Sequence, residues 1–270
     1  MTIPLTWLYV PGDRQDTVAK ALRSGADVVV IDLEDAVAPD RKEYARAATA
    51  EFLSDPRPVP VHVRVNALDG PFAAADLKAL AHLVGVAGLR LPKVTSPDQI
   101  RRVAQSTPHP LYALLESALG IEHAFTIAQA HPALHGIALG EADLKADLSV
   151  RDDAGLDWPR SRVIVAARAA GLPPPPQSVH PDTRDLTGLA ATCAHGRALG
   201  FLGRAAIHPR QLPVIERAYL PTEEDLERAE AIIKAATAHG GAQALRDGTF
   251  IDAAVVAAAH RTLSLAARRG

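Results

Sequence analysis

The strongest constraint on this chain is a repeating alternation. Short apolar runs are each followed by a longer segment of helical period. The runs are Trp7–Val10, Val28–Asp32, Val61–Val65, Gly88–Pro92, Leu111–Glu116 and Gly136–Leu139, with two weaker ones near Gln177–His180 and Gly203–Ile207. Runs this short and apolar suit strands buried on both faces, and the amphipathic segments between them suit covering helices. The segments carry helix punctuation. Ser96-Pro97-Asp98-Gln99 offers a capping Ser, Pro at the first helical position and Gln three residues after the cap. Asp40-Arg41-Lys42-Glu43 has the same form with Asp as the cap, and Gly25, Gly171 and Gly200 stand where helices should stop.

Eight strand–helix units mean a parallel sheet covered by helices, and eight of them in about 210 residues fit a closed (β/α)8 TIM barrel of the α/β class. An open doubly wound sheet is the structural rival. It usually carries a glycine-rich turn after its first strand, and the first turn here, Pro11-Gly12-Asp13-Arg14, lacks one. Pro173–Pro176 cannot sit in a central strand and reads as a rigid lead-in to a short seventh strand. Beyond Ile207 the strand pattern stops. Thr222–Ala238 and Ile251–Arg268 are expected as added helices, with a loop over Gly240–Phe250. The expected division is a barrel domain over residues 1–220 and a helical extension over residues 221–270, packed on the barrel or on a neighbouring subunit. In that extension Ile251, Val255, Ala258 and Leu265 repeat at roughly helical spacing.

Composition narrows the function classes. Apolar residues make up 48% of the 270 and aromatics only 4%, so the core is built from Ala, Leu, Val and Ile. A net charge of −2 gives no basic footprint for a nucleic acid. Cys193 stands alone, so no intrachain disulfide can form, which fits a reducing compartment. Met1-Thr2-Ile3-Pro4 lacks the features of a signal peptide, and no apolar stretch approaches the roughly 20 residues of a membrane helix. A cytoplasmic protein without nucleic-acid or membrane partners is expected.

Most of the apolar runs end in charged residues. The first leads to Asp13-Arg14, the second to Asp32-Leu33-Glu34-Asp35, the third carries Arg64 and reaches Asn66, and the fourth ends in Pro92-Lys93. The fifth ends in Glu116, and Gly140-Glu141-Ala142-Asp143 follows the sixth. In a barrel all strand C-termini meet at one face, where active sites are built, so these residues should converge on one pocket. Glu116 and Asp143 are hard oxygen ligands on neighbouring strands. Two carboxylates plus waters and substrate oxygens suit Mg²⁺, and no His/Cys spacing for zinc is present. Arg64 offers a fork for a substrate carboxylate, and Arg14 for a phosphate or second carboxylate. Each residue also has a plainer reading. An acid after a strand serves as a helix cap or lies in solvent, Arg64 could form a structural ion pair with Asp32 or Glu34, and at least one of Asp32, Glu34 and Asp35 is structural. Lys93 could be a Schiff-base nucleophile or a charge at the barrel mouth.

In order along the chain, several motifs resemble one family. They are Leu8-Tyr9-Val10-Pro11-Gly12, Gly25-Ala26-Asp27 with Asp32-Leu33-Glu34-Asp35-Ala36-Val37, Val63-Arg64-Val65-Asn66 and Leu91-Pro92-Lys93. Glu116 with Gly120, Gly140 with Asp143-Leu144, Ala166–Leu172 and Ile207–Gln211 complete the series. The set, from Leu8 to about Ala236, resembles the citrate lyase β-subunit-like proteins among the pyruvate and phosphoenolpyruvate-type barrels. The resemblance implies Mg²⁺ on Glu116 and Asp143, and Arg64 on the carboxylate of an oxaloacetate-like acid. It also implies Arg14 near the CoA or carboxylate end, and Glu34 and Asp35 ordering metal-bound water or supplying acid/base function. It implies a homo-oligomer, often a trimer in this family. One position departs: where the family has an Asp near the start of the seventh strand, this chain has Gln177, and an amide cannot act as a carboxylate base.

The expected function is a Mg²⁺-dependent carbon–carbon lyase that cleaves a 3-hydroxyacyl-CoA of citryl-CoA or malyl-CoA type to acetyl-CoA and a 2-oxo acid. The alternatives are a 2-oxo acid aldolase that works without CoA, and a lyase subunit or metabolite-binding barrel with no activity of its own.

Overall fold

The computed structural model describes residues 3–238, 243–244 and 250–267. Its main sheet has seven parallel strands: β1 (Thr6–Pro11), β2 (Val28–Asp32), β3 (Val61–Arg64), β4 (Gly88–Leu91), β5 (Leu111–Leu115), β6 (Leu134–Leu139) and β7 (Arg204–Ala206). Their order is β6-β5-β4-β3-β2-β1-β7, so the last strand returns to the free side of the first. Helices alternate with the strands, and the fold is a TIM barrel of the α/β class.

The count of eight strands needs correcting. Between β6 and β7 the seventh of the expected strands is reduced to a single parallel bridge, Gln177 to Arg204. Pro173–Pro176 precede it and Pro181 follows, so the segment lacks the N–H donors of a longer ladder. On its other side, Ser178 Oγ accepts the Glu141 N–H at 3.2 Å, just past the end of β6.

Other expectations resolve residue by residue. Ser96 and Gln99 form the full capping box of the helix Pro97–Ala104. Gly25, Gly171 and Gly200 adopt left-handed φ of +85°, +77° and +109°. The cap at Asp40 is a correction: Pro39–Arg41 forms a 3-10 turn, and the helix Lys42–Phe52 has no side-chain cap. The turn starts at Pro39, whose fixed φ suits helix entry, so Asp40 already lies inside it.

Period-two alternation divides the strand residues into two sets. One set faces the covering helices and is uniformly apolar and buried: Leu8, Val10, Val29, Ile31, Val61, Val63, Leu89, Leu91, Leu111, Ala113 and Leu115. The other set fills the sheet's concave side and differs sharply in chemistry. Trp7 clusters with Val28, Val30 and Tyr9. His62 stacks on Tyr112 with ring centroids 4.5 Å apart, and the Arg90 guanidinium lies over Trp7, Tyr9 and Tyr112. Space for this arrangement comes from Gly88, where a Cβ would stand 2.7 Å from Tyr112 Cε2 and 3.1 Å from His62 Nε2.

The chain divides into two compact units, Pro4–Ala218 and Met1–Ile3 with Tyr219–Gly270. In the second unit the helices Glu223–Ala238 and Ala253–Ala266 pack together. Their shared core is Ala229, Ile232, Ile251 and Ala259, joined by Ile233, Val255, Val256 and Leu263. Ala258, expected on the apolar stripe, is exposed; the buried stripe runs through Val255, Ala259 and Leu263 because the sister helix sets the face. That stripe is covered within its own unit and does not by itself call for a second subunit. The loop expected over Gly240–Phe250 is also corrected where it is described: Gln243–Ala244 and Phe250–Ile251 form an antiparallel pair, β8 and β9. The rest of that stretch, like Met1, Thr2 and Arg268, lies outside the described residues. Among the described residues no helix is long and apolar enough to cross a membrane.

Gly88→Ala should destabilise the barrel by about 1–3 kcal/mol, the usual penalty for overpacking a filled core. Denaturant melts of the two proteins measure it, and equal midpoints would show that the His62–Tyr112 stack does not depend on this glycine.

Candidate active site

The acidic turn after β2 is organised by Asp32. Its carboxylate accepts the N–H groups of Glu34 (2.9 Å) and Ala36 (3.1 Å), which folds the turn back on the strand end. The same carboxylate grips Arg64 on β3 in a fork, Nε at 2.8 Å and Nη2 at 2.6 Å. Arg64 Nη1 continues to Glu34 (3.0 Å) and Asp35 (3.3 Å). Burial opposes the charge on Arg64, but the bond to Asp32 outweighs it and raises its pKa well above the ordinary value. From beneath, buried Lys42 donates to the carbonyls of Leu33 (2.9 Å) and Glu34 (2.7 Å). The structural ion pair considered for Arg64 is therefore present, with Asp32 as its principal partner.

Lys93 follows β4 in a left-handed conformation, φ +54°. Such a backbone costs about 1–2 kcal/mol in a residue with a Cβ. It directs the Lys93 N–H onto Glu116 Oε2 at 2.9 Å. The Lys93 ammonium meanwhile reaches Glu34 (3.1 Å), Asp35 (3.7 Å) and Asp143 (3.9 Å). Burial tends to lower the pKa of this lysine, and the bond to Glu34 with its acidic neighbours turns the net shift upward. Glu34 shifts upward too, chiefly through burial, with Arg64 pulling the other way.

Glu116 is 4% exposed. Burial first, then the charges of Glu34 and Asp143, push its carboxyl up to about 8 despite Arg64 nearby. Gly140 leaves it room, since a Cβ there would collide with Glu116 Oε1. Glu141, next in the chain, is held by a fork from Arg160 at 2.9 and 2.8 Å. Arg160 also binds Asp153 (2.9 Å) and Asp157 (3.1 Å), and so anchors the helix Glu141–Leu148 that carries Asp143.

These groups surround a cavity of about 460 Å³ at the C-terminal ends of the strands. Asp32, Asp35, Arg64, Arg90, Glu116, Asp143 and Gln177 line it. Glu34 and Lys93 are tied to that wall through their ion pairs. Arg14 lies apart, exposed at the start of the helix Gln15–Ala21 and outside the cavity lining. Gln177 is buried, and its Nε2 donates to the Thr192 carbonyl at 3.1 Å.

Among the described residues no group of three or more His, Cys, Asp or Glu side chains is arranged to hold a metal ion. Two carboxylates, Glu116 and Asp143, could hold Mg²⁺, which commonly takes only one or two from the protein. The local charge fits such an ion. Glu116 is buried with the acids Glu34 and Asp143 close by, and the Lys93 ammonium lies 3.9 Å from Asp143.

Several contributors were not evident in the sequence. Lys42 sits in a helix and gives no sign that it reaches back to the acidic turn. Asp76 is fully buried and binds the Asn66 backbone and amide at 2.9 and 2.6 Å, together with Arg46 at 2.7 Å. Arg90 stood within an apolar run, and its one signal was a charge between two leucines.

The Arg160 network yields a pH prediction. Burial pushes Asp153 upward, but its bonds to Arg160 and Lys145 win and hold the carboxyl down at about 2. A depressed carboxylate contributes stability above its unfolded pKa of about 3.9, and that contribution fades as pH falls toward the folded value. Asp153 is half exposed, so solvent screening limits the effect to under about 1 kcal/mol. Asp153→Asn should be less stable than the parent in urea melts at pH 7, with the gap narrowing as pH falls from about 5 toward 2. A gap of constant size across that range would contradict the assignment.

Comparison with known proteins identifies the family. Residues 5–209 match the model of the HpcH/HpaI aldolase/citrate lyase family, and residues 169–267 match that of a carbon–carbon bond lyase of the TIM-barrel fold. A (3S)-malyl-CoA thioesterase from Cereibacter sphaeroides is 36% identical across 96% of this chain and 93% of its own. The citrate lyase β subunit of Escherichia coli is 33% identical across 97% and 93%. A crystal structure of the CitE protein of Mycobacterium tuberculosis, in complex with magnesium, acetoacetate and coenzyme A, superimposes with a TM-score of 0.84 at 35% identity, covering 98% of both chains. With an acid-lined cavity at the strand ends of a TIM barrel and matches of this length, the chain belongs to the HpcH/HpaI aldolase/citrate lyase family of carbon–carbon bond lyases.

Proposed function

We propose that this chain is a Mg²⁺-dependent lyase that cleaves a 3-hydroxyacyl-CoA to acetyl-CoA and a 2-oxo acid. The observation that carries the reading is the joining of four strand ends by one charge network, in which Arg64 and Lys93 face Glu34, Asp35 and Asp143 beside buried Glu116. Solved relatives add support: one is complexed with oxaloacetate and magnesium, another with magnesium, acetoacetate and coenzyme A.

In this reading a base takes the proton of the 3-hydroxyl group. The C2–C3 bond breaks, its electron pair passes to C2 as a thioester enolate, and C3 becomes the ketone of the 2-oxo acid. Protonation of the enolate gives acetyl-CoA. Glu116 and Asp143 would hold Mg²⁺, which would supply Lewis-acid polarisation of the oxygen on C3. Arg64 presents its guanidinium to the substrate carboxylate, with Asp32 fixing its plane. Asp35 lines the cavity and is more than half exposed, which suits it to take the hydroxyl proton. Glu34 is buried and acts through Arg64 and Lys93, holding both cations in place.

A second reading rests on the thioesterase relative, in which water attacks the thioester and the carbon skeleton stays whole. The products separate the two. Incubation with citryl-CoA and Mg²⁺ should give acetyl-CoA and oxaloacetate; citrate and free CoA would instead establish thioester hydrolysis. Asp35→Asn should lower kcat by about 10²–10⁴-fold with KM little changed, as loss of a proton acceptor does. Arg64→Lys should raise KM at least tenfold, because the charge survives and the planar fork does not. Unchanged kinetics in either variant would remove that residue from the chemistry.

A further inference from the structure

Arg90 has no part in the mechanism above, yet it lines the cavity. It lies on β4 in register with Arg64 on β3 and Tyr112 on β5. It is 3% exposed. Its guanidinium carbon is 5.6–5.9 Å from the ring centroids of Trp7, Tyr9 and Tyr112. Its polar contact is a long one, Nη1 to Tyr9 Oη at 3.4 Å. Nε is buried without a hydrogen-bond partner, and among the described residues no carboxylate pairs with it. A guanidinium keeps its charge inside proteins, and one buried without an anion is strongly unfavourable. The rings repay part of this through their negative faces, but a ring quadrupole does not satisfy N–H donors.

Arg64 offers the contrast. Its Nε, Nη1 and Nη2 are all engaged by Asp32, Glu34 and Asp35. Arg90 by contrast has Nε to spare and is the more buried of the two, and the small or apolar side chains of Leu114, Ala138 and Ala205 line the same cavity. His62, stacked beneath Tyr112, brings no competing charge: burial above all, and then Arg90 itself, keep it neutral.

We infer that Arg90 is a specificity-determining residue that binds a second carboxylate of the substrate within the cavity. The acid half of the preferred substrate is then a dicarboxylate, with one carboxylate near Arg64 at the mouth and the other on Arg90. This rests on the reading of the cavity as the substrate site and names the class of acid it takes.

The test uses two stable acids that differ by one carboxylate, (S)-malate and (S)-lactate, titrated calorimetrically into the full-length protein with Mg²⁺ present. No turnover is involved, so a failed lyase assay and a failed Arg90 assignment are separate results. The wild type should bind malate at least tenfold more tightly than lactate. Arg90→Met should weaken malate binding by about 10–100-fold, as expected for a charge-assisted bond, and change lactate binding less than threefold. Its melting temperature without ligand should hold or rise, because the substitution removes an uncompensated buried charge. Arg90→Lys should fall between the two for malate, and it carries the comparison if the Met variant does not fold. Equal affinity for the two acids in the wild type, or no binding of either, overturns the proposal. So does an equal loss of both acids with a lowered melting temperature, which would make Arg90 structural.

Discussion

The site depends first on the grip of Asp32 on Arg64. It bonds the ends of two adjacent strands through a bidentate pair and, with the same oxygens, folds the next four residues into a turn. Without that turn Glu34 and Asp35 would have no fixed direction. With it, they face Arg64 and the Lys93 ammonium arriving from β4. Lys42 closes the arrangement from below by binding the carbonyls of the turn. A pair this buried contributes little net stability against a well-packed apolar alternative. Its consequence is geometric: it sets the orientation of Arg64, Glu34 and Asp35 at the barrel mouth.

The charges of the site are unevenly matched. Arg64 is surrounded by acids, Lys93 is shared among three, and Arg160 holds Glu141 on the far wall. Among the described residues, two buried groups of the cavity lack an ion-pair partner. Glu116 is a buried carboxyl whose hydrogen bond comes from a backbone N–H, and Arg90 is a buried guanidinium whose Nε has no partner. Natural interiors rarely leave such groups unsatisfied except where a ligand completes them. A metal ion at the first and a substrate carboxylate at the second would balance the cavity together, which links the proposed cofactor to the proposed class of acid.

Much of this was legible from the residues alone. The apolar runs marked the strands, and the charges at their C-terminal ends marked the mouth of the barrel, because parallel strands must all end on one side. That logic brought residues as distant as Asp32 and Asp143 to one cavity, while it did not bring Arg14 there. The short seventh strand was overread, since four prolines leave one bridge where a ladder was expected. What stayed hidden were interactions that run against the local pattern. Lys42 belongs to a helix by sequence and to the acidic turn by reach. Arg90 lay inside a run taken as apolar, although period two puts it on the same face as Gly88, whose missing side chain makes room for the Tyr112 ring. The buried face of the last helix shifted to Ala259 and Leu263 because its partner, Glu223–Ala238, could not be positioned from sequence.

The most direct measurement is a crystal structure of the protein soaked with Mg²⁺ and oxaloacetate. The account predicts one ion bonded to carboxylate oxygens of both Glu116 and Asp143 at about 2.0–2.1 Å. It also predicts that the Lys93 ammonium will have moved away from Asp143, since one carboxylate oxygen cannot serve both cations equally. An ion bound elsewhere, or a soaked site in which Lys93 still holds Asp143 and Glu116 contacts no metal, would contradict it.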